Sequence, residues 1–244
     1  MDDNLEYKKI KSIKRLKKKQ KVYNFNVPGY ENYVANGFIV HNCENWQISQ
    51  QDLQVKSFHY DPLQLVTMAK QSDCDSICMT FNEPTIHYEF LIELGEECHK
   101  NDLKFIIKTN AYVEERPWRY ICLVADAINI DWKGSEESFY SIAGVKHYVI
   151  KDRIRQACNN WAIRFANPHI EISIPLYFSD DKIEEEMEMI GKFISEDLVR
   201  PTIPCHLLRV SPSYKYEDFV FNSDNLTMAY LILSKYVKNV YKGV

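Results

Sequence analysis

What the chain lacks narrows it first. No apolar run approaches the roughly 20 residues that span a bilayer. The charged start is not followed by an apolar stretch, so no secretory signal is expected. No Cys-x-x-Cys occurs anywhere, so a complete cluster motif is missing. The seven cysteines are an odd number and show no spacing of a secreted disulfide framework. Cys74, Cys78, Cys98, Cys122, Cys158 and Cys205 are scattered, several within apolar runs, and read as buried thiols. A reducing, cytoplasmic setting is expected.

What is present divides in two. Residues 1–42 hold nine Lys/Arg against four Asp/Glu, a balance of +5. The remaining 21 basic and 30 acidic residues give 43–244 a balance of −9. The run from Lys8 to Lys21 reads as a nucleic-acid patch or as an exposed strand pair whose lysines meet an acidic partner.

The boundary is His41-Asn42-Cys43. The Asn42 amide can attack its own backbone carbonyl, closing a succinimide and releasing Cys43. The Cys43 thiol is a nucleophile at neutral pH. His41 can give a proton to the scissile carbonyl or the leaving amine. Upstream, Val22 to Val27 alternates like a strand, Pro28-Gly29 signals a turn, and Tyr33 to Val40 reads as a second strand around Asn36-Gly37. From Val22 to Cys43 the sequence resembles the C-terminal end of an intein. Asn24 and Glu31 stand where that family commonly has Asp and His. The resemblance implies a small all-β segment over 1–42 with His41, Asn42 and Cys43 as the splicing residues. It also implies a partner: an intein N-terminal fragment, carrying the upstream extein, since the Thr-x-x-His half is not in this chain. A split intein and a truncated gene both fit that pattern.

From residue 61 onward a βα rhythm is expected. Asp61-Pro62 opens a helix running to about Gln71, with Asp61 as its cap. Strands are expected at Ser76–Phe81, Phe105–Asn110, Ala127–Trp132, Ile170–Phe178 and Cys205–Val210. Helices are expected at Ile86–Lys100, near Ser138, at Val149–Trp161, Asp181–Glu196 and Asp224–Val237. Strands alternating with helices indicate a parallel α/β sheet, with a further strand expected upstream of Cys43. In such folds polar residues after each strand gather at one end. Here those are Asn82 and Glu83, Thr109 and Asn110, Asp131 and Lys133, with His206 inside the last expected strand. Glu83 suits an ammonium, Lys133 a carboxylate, and Asp131 or Asn110 hydroxyls.

Five segments carry a second resemblance: CENWQIS (Cys43–Ser49), TFNEPTI (Thr80–Ile86), KTNAY (Lys108–Tyr112), NIDWKG (Asn129–Gly134) and PCHLLRVSPSYK (Pro204–Lys215). In this order they are similar to motifs of radical S-adenosylmethionine (SAM) enzymes of the pyruvate formate-lyase-activating-enzyme-like branch called the AmmeMemoRadiSam system radical SAM enzyme. The resemblance implies a partial (β/α)6 barrel of the TIM-barrel type, lacking its first strand, over 43–244. It implies a 4Fe-4S cluster and S-adenosyl-L-methionine as cofactors, with Cys43 as one of three metal ligands. Reductive cleavage of SAM would give a 5′-deoxyadenosyl radical. Asn82, Glu83, Thr109, Asn110, Asp131, Lys133 and His206 become cofactor-binding candidates. The two missing cluster cysteines would arrive with the upstream extein. A non-enzymatic protein that binds nucleic acid or a nucleotide-like ligand, and an inactive gene fragment, remain open as alternatives.

Overall fold

The computed structural model describes residues 21–24 (backbone alone), 59–80, 83–135, 137–138, 145–159, 168–177, 180–210 and 222–243. Asp61 caps the first helix, as its sequence context predicts. Its Oδ1 accepts from the Gln64 N–H at 2.8 Å, and Gln64 Oε1 accepts from the Asp61 N–H at 2.9 Å. The elements then follow as β1 (Lys21–Asn24), α1 (Pro62–Gln71), β2 (Cys74–Met79), α2 (Tyr88–Lys100), β3 (Lys104–Thr109), α3 (Glu115–Val124) and β4 (Ala127–Asp131). After these come α4 (His147–Cys158), β5 (His169–Pro175), α5 (Ile183–Lys192), β6 (Cys205–Leu208), α6 (Ser223–Leu233) and β7 (Val240–Lys242).

The strands lie in sequence order in one sheet, and every pairing is parallel. A parallel crossover is right-handed in nearly all proteins. When each strand lies beside its predecessor, every crossover helix therefore lands on the same face. The sheet acquires a helix-covered outer face and a separate inner face. Register makes the division sharp. Ile77, Phe105, Ile107, Ile128, Ile130, Ile172, Ile174 and Leu207 are all buried against the helices. Each such side chain contributes about 1.5–3 kcal/mol on burial. The helices answer with apolar stripes, such as Leu91, Leu94, Gly95 and Cys98 on α2. Gly95 is needed there: a Cβ would lie 2.8 Å from Val124 Cβ and 2.9 Å from Phe105 Cδ1.

The edge position before β2 is occupied by Lys21–Asn24, from the basic segment. Lys21 pairs with Cys74, Tyr23 with Ile77 and Asn24 with Cys78. The described part of the strand expected over Val22–Val27, up to Asn24, thus runs parallel to β2 in the main sheet, and no antiparallel pair occurs among the described residues. The second expected strand, Tyr33–Val40, and the junction His41-Asn42-Cys43 lie outside the described residues, as does most of the helix expected near Ser138.

Several boundaries moved for local reasons. Pro84 begins a 3-10 turn, Pro84–His87, capped by Glu83, and α2 starts only after it. The acidic helix ends in a π turn over Phe193–Asp197. Helix α3, which contains Pro117, was not among the expected helices. Pro117 sits in the first turn, where the missing N–H has no helical partner to lose. The three-residue β7 is too short to show a period.

Candidate functional site

The polar groups sort into three clusters. The first joins the β2 exit to the end of β3. Glu83 Oε1 accepts from the Thr85 N–H at 3.1 Å, the Thr85 hydroxyl at 2.7 Å and the Thr109 hydroxyl at 2.5 Å. Its Oε2 accepts from the Asn110 N–H at 2.8 Å. Burial pushes the Glu83 carboxyl above its ordinary value, and these four donors oppose that push. Thr109 Oγ1 in turn accepts from the Ala111 N–H at 2.9 Å, and Asn110 Oδ1 from the Tyr112 N–H at 2.7 Å. These two side-chain turns hold Ala111 at φ 56°, in the left-handed region. Glu83, Thr109 and Asn110 are therefore brought together, but chiefly to bind one another. About one acceptor site is left, on Glu83 Oε2.

The second cluster stands on the inner face of β3, β4 and β5. Lys108 Nζ donates to Asp131 Oδ1 at 2.6 Å and to Asn129 Oδ1 at 3.0 Å. Lys133 Nζ reaches Asp131 Oδ2 at 3.4 Å. The Ser173 hydroxyl donates to Asn129 Oδ1 at 2.7 Å. Burial alone would raise the Asp131 carboxyl, but the Lys133 and Lys108 ammoniums outweigh it and leave it below the ordinary value. Lys133 is the unusual member, with 4% of its side chain exposed and one long contact. A buried ammonium so thinly paired is placed to receive an anion. The loop carrying it is fastened from behind. Glu186, buried on α5, accepts from the Ser135 N–H at 2.7 Å, the Ser135 hydroxyl at 2.6 Å and the Ser138 hydroxyl at 2.7 Å. Gly134 turns that loop at φ 116°.

The third cluster lies toward the far edge of the sheet. Glu171 Oε2 meets His206 Nε2 at 3.0 Å, and Oε1 meets His169 Nε2 at 3.1 Å. The His206 contact leads in holding the Glu171 carboxyl down at about 2. Tyr241 stacks on the His206 ring, centroids 5.3 Å apart.

Lys108, Asn129, Ser173, Glu171, His169 and Glu186 were not singled out from sequence. Alternation could have found most of them: KFIIKT, AINID and HIEISIP each interleave apolar residues with polar ones, and the polar ones share the inner face. Glu186 had no such signal within its acidic run. Asn82 and Cys43 lie outside the described residues. Burial pushes the Cys78 and Cys158 thiols up to about 11 and Cys98, Cys122 and Cys205 up to about 12. Among the described residues no three His, Cys, Asp or Glu side chains gather as metal ligands. A cavity of about 250 Å³ lies at the opposite ends of β5 and β6, lined by Cys158, His169, Arg200 and Thr202 among others.

No family model matches the chain. It is similar to an uncharacterized protein of Methanocaldococcus jannaschii, 28% identical over 180 residues. That match takes in 72% of this chain and 51% of the relative, so the chain spans about half the length of the curated relative it matches. Among solved structures, a domain of pyruvate-formate lyase-activating enzyme from Bacteroides vulgatus superposes with a TM-score of 0.57 at 19% identity, covering 69% of this chain and 99% of that domain. The chain shares the fold of that domain, a parallel α/β sheet whose strands follow in sequence order. SuiB of Streptococcus suis, solved bound to S-adenosylmethionine, agrees, with a TM-score of 0.59 at 12% identity over 78% of this chain and 43% of SuiB. Among the described residues, no helix is long and apolar enough to cross a membrane.

Proposed function

We propose that this chain carries the C-terminal part of a radical SAM enzyme, completed when protein splicing joins an upstream segment to Cys43. The observation that carries the enzyme reading is the inner wall. A parallel sheet with its strands in sequence order presents Asp131 and Lys133 at the strand ends where the motif resemblance put the cofactor, with Lys108 and Asn129 deeper on the same open face. The splicing reading rests on the Val22–Cys43 sequence.

The two cofactors fit this chain unequally. The described thiols are dispersed, and burial holds those of Cys78, Cys98, Cys122, Cys158 and Cys205 protonated, so they do not form a cluster site. Cys43 would be the single ligand from this chain, and the other two would come with the partner fragment. The SAM side fits better. Lys133 would take the methionyl carboxylate, held at the right height by Asp131 and by the Glu186 clamp on its loop. Glu83 would meet the amino group through its remaining Oε2 site, while Thr109 and Asn110 keep it in place. Asn82 and His206 complete the candidate shell. With its cluster, bound SAM supplies a hydrogen-abstracting radical; the chain's own residues bind and orient it. A reducing cytoplasm would keep Cys43 competent for both tasks.

The test is to mix the chain with its intein N-terminal fragment under reducing conditions and follow mass. Residues 1–42 should be lost and the upstream segment gained at Cys43. Asn42→Ala should stop release, because alanine has no amide to cyclise. Unchanged processing in that variant would overturn the splicing assignment and leave the fold untouched.

A further inference from the structure

We infer that the β5–β6–β7 end of the inner wall binds a cationic group of the substrate, a guanidinium or ammonium, with Glu171 as its counter-charge and Tyr241 as an aromatic wall. The inference deepens the reading above and rests on it, since it treats the inner face as the side where substrate meets cofactor.

Charge balance along the wall leads to this end. Lys108 and Asp131 face each other at 2.6 Å and largely cancel. Lys133, in the proposed reading, answers the carboxylate of the cofactor. Among the described residues of the wall, Glu171 is then the charge left over. It sits directly beside Asn129 in register, on the inner face, with 30% of its side chain exposed. Its partners are imidazoles, and its low protonation range keeps it ionised at working pH. An ionised carboxylate has no proton to give, so each imidazole must present an N–H to it through Nε2. Each ring satisfies one oxygen and leaves the rest of the carboxylate open. Each oxygen accepts one such bond, and a carboxylate has about four acceptor sites. One site per oxygen remains, which is the demand of a guanidinium fork or of an ammonium bridging both.

The neighbours agree. Asn129 cannot turn its amide N–H groups toward Lys108, because its oxygen already accepts from that ammonium and from Ser173. Tyr241 lies level with His206 in register, stacks on it at 20° between planes, and is 46% exposed. An exposed phenol ring near a carboxylate attracts organic cations by its quadrupole. The chain's own lysine at this edge does not serve: Lys242 Nζ lies 4.9 Å over the Tyr230 ring and donates to Thr227.

The experiment uses the full chain without cofactors and three small probes of like shape: methylguanidinium, neutral methylurea and anionic acetate. The readout is the ¹H–¹³C resonances of His169 and His206, assigned by His169→Gln and His206→Gln. Methylguanidinium should shift both residues along a saturable curve, while methylurea and acetate should not. Glu171→Gln should weaken that binding at least tenfold. Tyr241→Leu, at the sheet edge and outside the carboxylate network, should weaken it about threefold and decides the matter should Glu171→Gln not fold. Equal shifts with methylurea, an unchanged curve in Glu171→Gln or Tyr241→Leu, or no saturable shift would overturn the inference. Should the cation site fail while the spliced protein still cleaves SAM, the substrate class is wrong and the enzyme reading stands.

Discussion

Thr109→Val tests whether the Glu83 cluster holds the mouth of the barrel together. Valine keeps the shape of threonine and removes its hydroxyl. That hydroxyl is 2.5 Å from Glu83 Oε1 and 2.9 Å from the Ala111 N–H, in a residue 2% exposed. Losing the bond to a carboxylate costs about 1.5–3 kcal/mol. Leaving the Ala111 N–H without its acceptor costs about 1–3 kcal/mol more, and the added methyl returns a little through burial. A net loss of about 3 kcal/mol is expected, a large share of a domain stability of about 5–15 kcal/mol. Thr85→Val removes one side-chain bond to the same oxygen, at 2.7 Å, and leaves Glu83 in contact with the Thr85 N–H. It should cost about half as much. Urea unfolding followed by far-ultraviolet circular dichroism measures both, provided the slope against urea is unchanged. A loss below about 0.5 kcal/mol for Thr109→Val would refute the reasoning.

Three further outcomes follow from the same geometry. Asp131→Asn strips the counter-charge from Lys108 and Lys133 and should destabilise the chain by about 3 kcal/mol in urea, whereas Lys133→Met should cost much less, since it removes the buried charge itself. The pH dependence should carry two opposite signs. Glu171 has its carboxyl lowered to about 2 in the folded chain, so its stabilisation is complete above the ordinary value of 4.5 and is lost as pH falls from there toward 2. Glu83 has its carboxyl raised, so its contribution is complete below 4.5 and is lost as pH rises through the elevated value. Stability of Glu171→Gln and Glu83→Gln against the parent across that range reads each slope separately. On α5, Glu186→Ala should cost about 2–4 kcal/mol through three lost donors, while its neighbour Glu185→Ala, exposed, should stay within about 0.5 kcal/mol.

The sequence made the sheet legible because its strands are buried on their helix side by unbroken isoleucines, and because Asp61, the Asn-Glu-Pro turn and Asp-Trp-Lys-Gly mark element ends. It singled out Asp131, at the end of β4, and Lys133, just after it, and in the folded chain their charges stand 3.4 Å apart. It did not show the partners of Glu83: Thr85, Thr109 and Asn110 come from two different strand ends, and only folding makes them converge on one carboxylate. Lys108, Asn129 and Glu171 were overlooked for the converse reason. Attention went to strand ends, while these side chains lie one or two positions deeper on the inner face. Glu186 stands in an acidic run that does not set it apart, and its burial depends on a serine pair some fifty residues away. The strand at Lys21–Asn24 was expected in a separate small unit, and its parallel pairing with β2 depends on a sheet edge that local patterning cannot see.

The most direct measurement is SAM cleavage by the spliced, cluster-loaded protein, read as 5′-deoxyadenosine formed under reducing, anaerobic conditions with iron content held equal between samples. The spliced parent should form 5′-deoxyadenosine and the unspliced chain should form none. Lys133→Met in the spliced protein should bind SAM about ten- to a hundredfold more weakly, as befits the loss of one charge-assisted contact. A spliced protein that carries its cluster but neither binds nor cleaves SAM, or a Lys133→Met variant indistinguishable from the parent, would contradict the account.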